Sequence, residues 1–251
     1  MTALPTRPLI EVSDLSIGWG SVILLENASF QVERGDIFVV LGGSGCGKST
    51  LLRSLIGLQQ PLSGQVLIDA VPPSHVETGR PPFGVMFQSG ALLGSMTVGE
   101  NIALPLQEWT DLPQDAVYAI VQARLRLVGL QGSEDKLPSE LSGGMRKRAA
   151  IARAMALEPS LVFLDEPSAG LDPVTAVELD ELILTLNTKL GLTLVVVTHD
   201  LESIFKIAKH CIMLDRESMS IIASGDPREL RDASTDPRVH DFFNRSTPVR
   251  P

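Results

Sequence analysis

Apolar and polar residues alternate in PLIEVSDLSI (residues 8–17) and ENASFQVERG (26–35). A period of two predicts strands with one buried face, as in an antiparallel sheet. Three later stretches do not alternate. GDIFVVLG (35–42), SLVFLDEP (160–167) and LTLVVVTHD (192–200) carry unbroken aliphatic runs, which predict strands buried on both faces of a parallel sheet. Each is followed by helical spacing: Lys48 to Ile56, Pro173 to Leu190 and Leu201 to Lys209. Strands alternating with helices predict an α/β layer fold. Between Gln88 and Pro159 no strong strand pattern stands out. DLPQDAVYAIVQARLRLVGL and LSGGMRKRAAIARAM read there as helices. The organisation predicted is one domain, 1–230, with core segments 1–87 and 160–230 and an inserted helical lobe, 88–159. After Gly225 the chain turns polar and proline-bearing. Residues 231–251 are expected to form a tail that lies on the surface or on a partner.

Composition narrows the class. A hydrophobic fraction of 44% suffices for a buried core, and the 4% of aromatic residues makes that core aliphatic. A net charge of −9 argues against nucleic acid as a partner, because its phosphates attract basic faces. No apolar run nears the roughly 20 residues that span a bilayer. MTALPTRPLIEV at the N-terminus has no signal-peptide apolar core, and Cys46 and Cys211 form no spaced pattern. A cytosolic chain is the expectation.

Two stretches carry phosphate chemistry. Gly42 to Ser49 spell G-x-x-x-x-G-K-S between a buried strand and an amphipathic helix. Gly42, Gly45 and Gly47 let the backbone curl so that successive N–H groups face one anion. Gly43, Ser44 and Cys46 complete that cradle, and Thr50 follows it into the helix. Lys48 supplies a point charge to the β- and γ-phosphates, and the Ser49 hydroxyl can ligate Mg²⁺. In LVFLDEP, Asp165 at the strand tip would hold Mg²⁺ through water and Glu166 would polarise the attacking water. A helix cap is the competing use of Asp-Glu-Pro. His199, just beyond the third buried strand, could contact the γ-phosphate. The Gln88 amide could reach Mg²⁺ from the seam between core and lobe. Trp19, flanked by glycines, either stacks on adenine or packs in the core. His75, His210 and His240 read as surface or packing residues.

LSGGMRKR holds a second anion site. Ser142 stands where an N-cap belongs, and Gly143 and Gly144 follow it bare. A helix start with open amides attracts anions, and bare glycines would let a phosphate approach closely.

These motifs, in this order, resemble the nucleotide-binding domain of ABC transporters over nearly the whole chain. The resemblance identifies Gly42 to Ser49 as Walker A, Gln88 as the Q-loop glutamine and LSGGM as the signature. LVFLDE is Walker B with its glutamate, SAGLD is the D-loop ending at Asp172, and His199 is the switch histidine. It implies an α/β P-loop NTPase (RecA-like) core with an N-terminal antiparallel β part and an inserted α-helical subdomain. It implies ATP and Mg²⁺, and a second copy of the chain. The signature of one copy, through Ser142, Gly143 and Gly144, closes over ATP held by Walker A of the other. It also implies integral membrane permease subunits that hold the chain at the cytoplasmic face of the inner membrane. The isolated chain is then expected to be largely monomeric without nucleotide.

Met145 departs from the family pattern, where glutamine is usual. SGGM with basic residues after it, FQSGAL, NIALPL and DPRV resemble the narrower MCE-associated group, the ATPases of Mla-type phospholipid transport systems. That likeness implies an MCE lipid-binding complex and, in some members, a small STAS-domain regulator. The competing reading within the family is an importer of amino acids or another small solute. DNA-repair ATPases of similar head are split by long coiled coils, which this chain lacks, and twin-domain translation ATPases need a second Walker A.

Overall fold

The computed structural model describes residues 7–73 and 79–244. His75 therefore lies outside the described residues, as does the tail beyond Asn244. The described chain forms two compact units, one from residues up to Gly79 and from Val195 onward, the other Arg80–Leu194.

In the first unit, β1 (Ile10–Trp19) lies between β2 (Val22–Val32) and β4 (Ser63–Ile68) in an antiparallel sheet. Ile10 faces Val32 on one side and Ile68 on the other. Ile10, Val12, Leu15 and Ile17 are buried. The alternation read from the sequence thus marks a sheet with one face in the core. β3 (Ile37–Gly42) is buried at all six positions. It pairs in parallel with β8 (His210–Asp215), Phe38 opposite His210, and β9 (Ser220–Gly225) runs antiparallel beyond β8. From β3 the chain passes through a glycine-rich loop into α1 (Lys48–Leu55). α6 (Leu201–Ile207), α7 (Pro227–Ala233) and α8 (Pro237–Asn244) complete the unit.

The second unit holds β5 (Phe83–Met86), α2 (Val98–Trp109), α3 (Gln114–Leu127), α4 (Gly143–Ala154), β6 (Leu161–Asp165) and α5 (Pro173–Leu190). It contains the helices expected between 88 and 159 together with β5, β6 and α5. β5 and β6 pair in parallel, Met86 opposite Leu164. β7 (Thr193–Val197) carries the chain back to the first unit. Thr97 and Glu100 form a reciprocal capping box at the start of α2. Asn101, fully buried, donates to the carbonyls of Leu93, Met96 and Thr97 and accepts from the Leu93 amide. Buried backbone groups need partners, and this side chain supplies four to the loop leading into α2. Among the described residues no helix is long and apolar enough to cross a membrane.

Two expectations change. The helix from Leu201 ends at Ile207 rather than Lys209, because the Lys209 amide donates to Ile37 O (3.1 Å) and His210 opens β8. The tail does not simply run over the surface. In α8, Val239 and Phe243 are buried. The Phe243 ring lies 5.6 Å from that of Phe205 in α6, with Phe242 edge-on at 5.5 Å, and Arg238 bonds Asp215 at 2.8 Å. The first part of the tail is therefore core material of its own unit.

Phe243→Ala is expected to cost roughly 3 kcal/mol in urea unfolding, the low end for a buried phenylalanine because a terminal helix relaxes. Phe242→Ala, at a half-buried position, should cost well under half as much. Equal, small losses would show that α8 does not stay docked.

Candidate active site

The first unit presents the phosphate loop. Gly42, Gly45 and Gly47 have φ of 143°, 76° and 101°, a region that side chains rarely tolerate. A Cβ on Gly42 would also stand 2.5 Å from Leu214 O and 2.6 Å from Cys46 Sγ. The cradle is therefore set by the parallel neighbour β8 as well as by its own turn. Gly43, Ser44 and Gly45 are exposed at its rim, and Cys46 is buried beneath it with its thiol pKa pushed up by burial. α1 begins at Gly47 with no side-chain cap and no acidic residue in its first turn. Its N-terminal amides and dipole are thus left for an anion. Lys48 Nζ donates to the carbonyls of Gly42 (2.8 Å) and Gly43 (2.9 Å), across the mouth of the loop. Ser49 is exposed and Thr50 buried in the first turn of α1. The Thr50 hydroxyl accepts from the Trp19 indole N–H at 3.4 Å. With 54% of its surface exposed, Trp19 is not a core tryptophan. The Thr198 amide donates to Val40 O (3.4 Å), which sets exposed His199 just past β3's neighbouring backbone. His210 bonds buried Asp36 at 2.6 Å and His240 is exposed, so both serve the surface and packing roles expected.

The second unit presents carboxylates and signature. Asp165 ends β6 and Glu166 follows it, both buried. Glu166 has φ 47°, a left-handed setting that costs a non-glycine residue about 1–3 kcal/mol. Exposed Gln88 lies two residues beyond Met86 and Glu166 two beyond Leu164. Since Met86 and Leu164 are register partners, the two residues leave the sheet side by side. Asp172 caps α5. Its Oδ1 accepts from the Thr175 amide (3.1 Å) and its Oδ2 from the Thr175 hydroxyl (2.6 Å), and these bonds hold its carboxyl below the usual carboxylate range. Ser142 caps α4, its hydroxyl accepting from the Met145 amide at 3.3 Å, and again no acidic residue occupies the first turn.

Gly144 is not bare in the sense its sequence suggests. It is buried, and a Cβ there would stand 2.4 Å from Thr175 Cγ2. Packing against α5 demands this glycine, whereas Gly143 would meet only Leu171 Cδ2, at 3.4 Å. Packing alone is thus sufficient reason for the glycine at 144, and Gly143 has no such packing demand.

The motif reading also passed over two cations. Lys147, 8% exposed, donates to Gln88 O at 2.6 Å and to Glu166 O at 3.1 Å. Arg153 donates to Ala91 O (2.7 Å) and Gly90 O (3.1 Å). Burial pushes both of their pKa values down. Gly144, Lys147 and Ile151 share the buried stripe of α4. A cation inside an apolar stripe at helical spacing was the available signal.

Residues 25–169 match the ABC transporter family. The chain belongs to the ABC transporter family. It is an ATP-binding, ATP-hydrolysing cassette. It is 43% identical to the intermembrane phospholipid transport system ATP-binding protein MlaF of Escherichia coli K12, over 94% of this chain and 88% of that protein. It is 40% identical to the probable ribonucleotide transport ATP-binding protein mkl of Mycobacterium leprae, over 96% of this chain and 70% of that one. Among solved structures it is similar to a dimeric ATP-binding cassette in a post-hydrolysis state bound to ADP and Pi. There the TM-score is 0.76 and the identity 26%, over 86% of this chain and 98% of that chain. The α/β P-loop architecture expected from the motifs is that of this cassette.

Gly144→Ala should destabilise by about 1–3 kcal/mol, as overpacking does. Adding Thr175→Ser removes the methyl group but keeps the hydroxyl on Asp172, and should recover most of the loss. A double-mutant cycle by chemical denaturation measures the coupling. Additive losses would refute the packing account of Gly144.

Proposed function

We propose that the chain powers phospholipid transport, as a pair of identical copies driving an integral membrane permease from the cytoplasmic face of the inner membrane. The observation that carries this reading is the pair of anion-ready helix starts, α1 and α4. A phosphate touched by both needs them on opposite sides, which two copies arranged head to tail provide. ATP held by Walker A of one copy is then closed over by Ser142, Gly143 and Gly144 of the other, and hydrolysis reopens the pair. The similar cassette that is dimeric and bound to ADP and Pi supports a pair of copies. The cargo rests on the likeness to MlaF, of which the chain covers 88%, against 70% of the ribonucleotide-named relative, and on Met145. An MCE lipid-binding complex and a STAS-domain regulator are the further partners proposed.

Each side chain has a part. Trp19 stacks on the adenine. Lys48 turns from its own loop carbonyls to the β- and γ-phosphates, and the loop amides hold the β-phosphate. Asp172 positions the loop that meets the other copy, and His199 orients the water that Glu166 polarises. Among the described residues no group of three or more His, Cys, Asp or Glu could cage a metal. Ser49, Gln88 and Asp165 would supply oxygen ligands, the kind that Mg²⁺ takes in small number beside the substrate's phosphates. When bound, Mg²⁺ offsets the phosphate charge and polarises the γ-phosphoryl group.

Glu166→Gln should bind ATP normally but hydrolyse it about 10²–10⁴-fold more slowly, measured on the chain purified with its permease. Lys48→Ala should instead weaken ATP binding itself in calorimetric titration. For the cargo, the complex in proteoliposomes should move a fluorescent phospholipid only with ATP. Transport of ribonucleotides or amino acids in its place would overturn the phospholipid assignment.

A further inference from the structure

Lys147 lies on the signature helix, but its amine points away from the helix start. Nζ reaches across to two backbone oxygens on neighbouring chain segments, Gln88 O at 2.6 Å and Glu166 O at 3.1 Å. Those residues are the first beyond the parallel pair β5 and β6 to carry chemistry. Glu166 O also accepts from the Ala169 amide at 3.2 Å, and the residue stands in a left-handed conformation that its surroundings must enforce. The loop after Gln88 is gripped a second time by Arg153, through Gly90 O and Ala91 O, and Ala91 too has a positive φ, 49°. One helix therefore fixes both the glutamine loop and the backbone of the glutamate.

A buried lysine could simply satisfy stray carbonyls. Two features argue for more. Its two acceptors belong to two separate motif residues rather than to one loop. Glu166 O also accepts from the Ala169 amide, so the residue's backbone is held from two sides, and a carbonyl so bonded cannot rotate freely.

We infer that Lys147 is a positioning residue for ATP hydrolysis: it ties the backbone of Glu166 to that of Gln88, so that the glutamate's aim follows the glutamine loop and the signature helix. The inference rests on the role proposed above for Glu166. Lys147 touches neither nucleotide nor water in this account. Its loss should therefore disturb the rate of the chemical step and leave the hold on ATP.

The test uses the chain purified with its permease. Lys147→Met keeps the length of the stem and removes the charge, and a buried amine replaced by an apolar group of similar volume usually folds. Lys147→Gln, with a shorter donor, is the second variant. The expected result is a fall in kcat of roughly 10- to 100-fold with KM for ATP within about twofold, in whichever of the two variants folds. Lys147→Arg, whose fork can donate to both carbonyls, should restore most of the rate. A kcat near that of the parent in Lys147→Met or Lys147→Gln would overturn the inference. So would an arginine variant as slow as the methionine one, or kcat and KM changing together with a lowered melting temperature. Glu166→Gln, run beside them, separates the two claims. If it keeps its turnover, the role of Glu166 fails. If it is slow while the Lys147 variants are not, only the positioning role fails.

Discussion

Everything the first unit does follows from one unmet requirement: the amides at the start of α1 have no side chain to cap them. Most helices here solve that problem locally. Asp172, Asp200 and Asp226 cap α5, α6 and α7, and Thr97 with Glu100 closes α2. α1 begins instead at a glycine in a left-handed turn, with no acidic residue in its first turn. A buried strand leads into it, β8 supports the loop through Leu214 O, and Lys48 crosses the mouth. The loop is held in shape by its own backbone and lysine, so an anion meets a formed cradle and needs little ordering on arrival. α4 repeats the theme with a serine cap and again no acidic residue in its first turn.

The difference between these two helices lies in what surrounds them. α1 is continuous with its phosphate loop. α4 is a strut. Its second residue is wedged against Thr175, which in turn bonds Asp172. Its buried Lys147 and half-buried Arg153 grip the loop after β5, and Lys147 also the residue after β6, and Arg148 reaches Val128 O and Glu178. A displacement of the glutamine loop cannot leave the signature helix unmoved, because packed interiors transmit strain rather than absorb it. The loop after β5 and the start of α4 are thus mechanically linked through α4.

Much of this was legible in the sequence, and unevenly so. The strands leading to chemistry, β3, β6 and β7, announce themselves as unbroken aliphatic runs, and the helical spacing from Pro173 to Leu190 matches α5, which Asp172 and Gly191 cap. The phosphate loop is legible because its chemistry is made by backbone, and only certain residues permit that backbone. β4, β5, β8 and β9 were missed. β5 has four residues, one of them Gly84, which is there because a Cβ would sit 2.0 Å from Ala154 O. A local pattern cannot carry a contact with a residue 70 positions away. The stretch of α8 was read as a tail on the surface or on a partner because Val239 and Phe243 stand among charged and polar neighbours, whereas in the fold Phe243 packs beside Phe205. Gly144 and Lys147 show the same limit within the site. Both lie in the motif region that sequence identifies most securely, yet their roles come from α5, β5 and β6, which only the fold brings beside them.

The central claim, that the two anion-ready helix starts serve one ATP from two different copies, is tested most directly with a mixed pair. One chain carries Lys48→Ala. The other carries Ser142→Asp, which keeps an N-cap but sets a negative charge where the γ-phosphate would approach, and Ser142→Asn serves as the neutral control. If the sites form between copies, the mixed pair collects both defects in one site and leaves the other intact. It should then show ATP-dependent crosslinking across the interface, and roughly half the parent hydrolysis if the sites fire independently, where either mutant alone shows neither. If each chain uses its own signature, every site in the mixed pair is damaged. A mixed pair as inert as the two mutant homodimers, with both chains folded, would contradict the account.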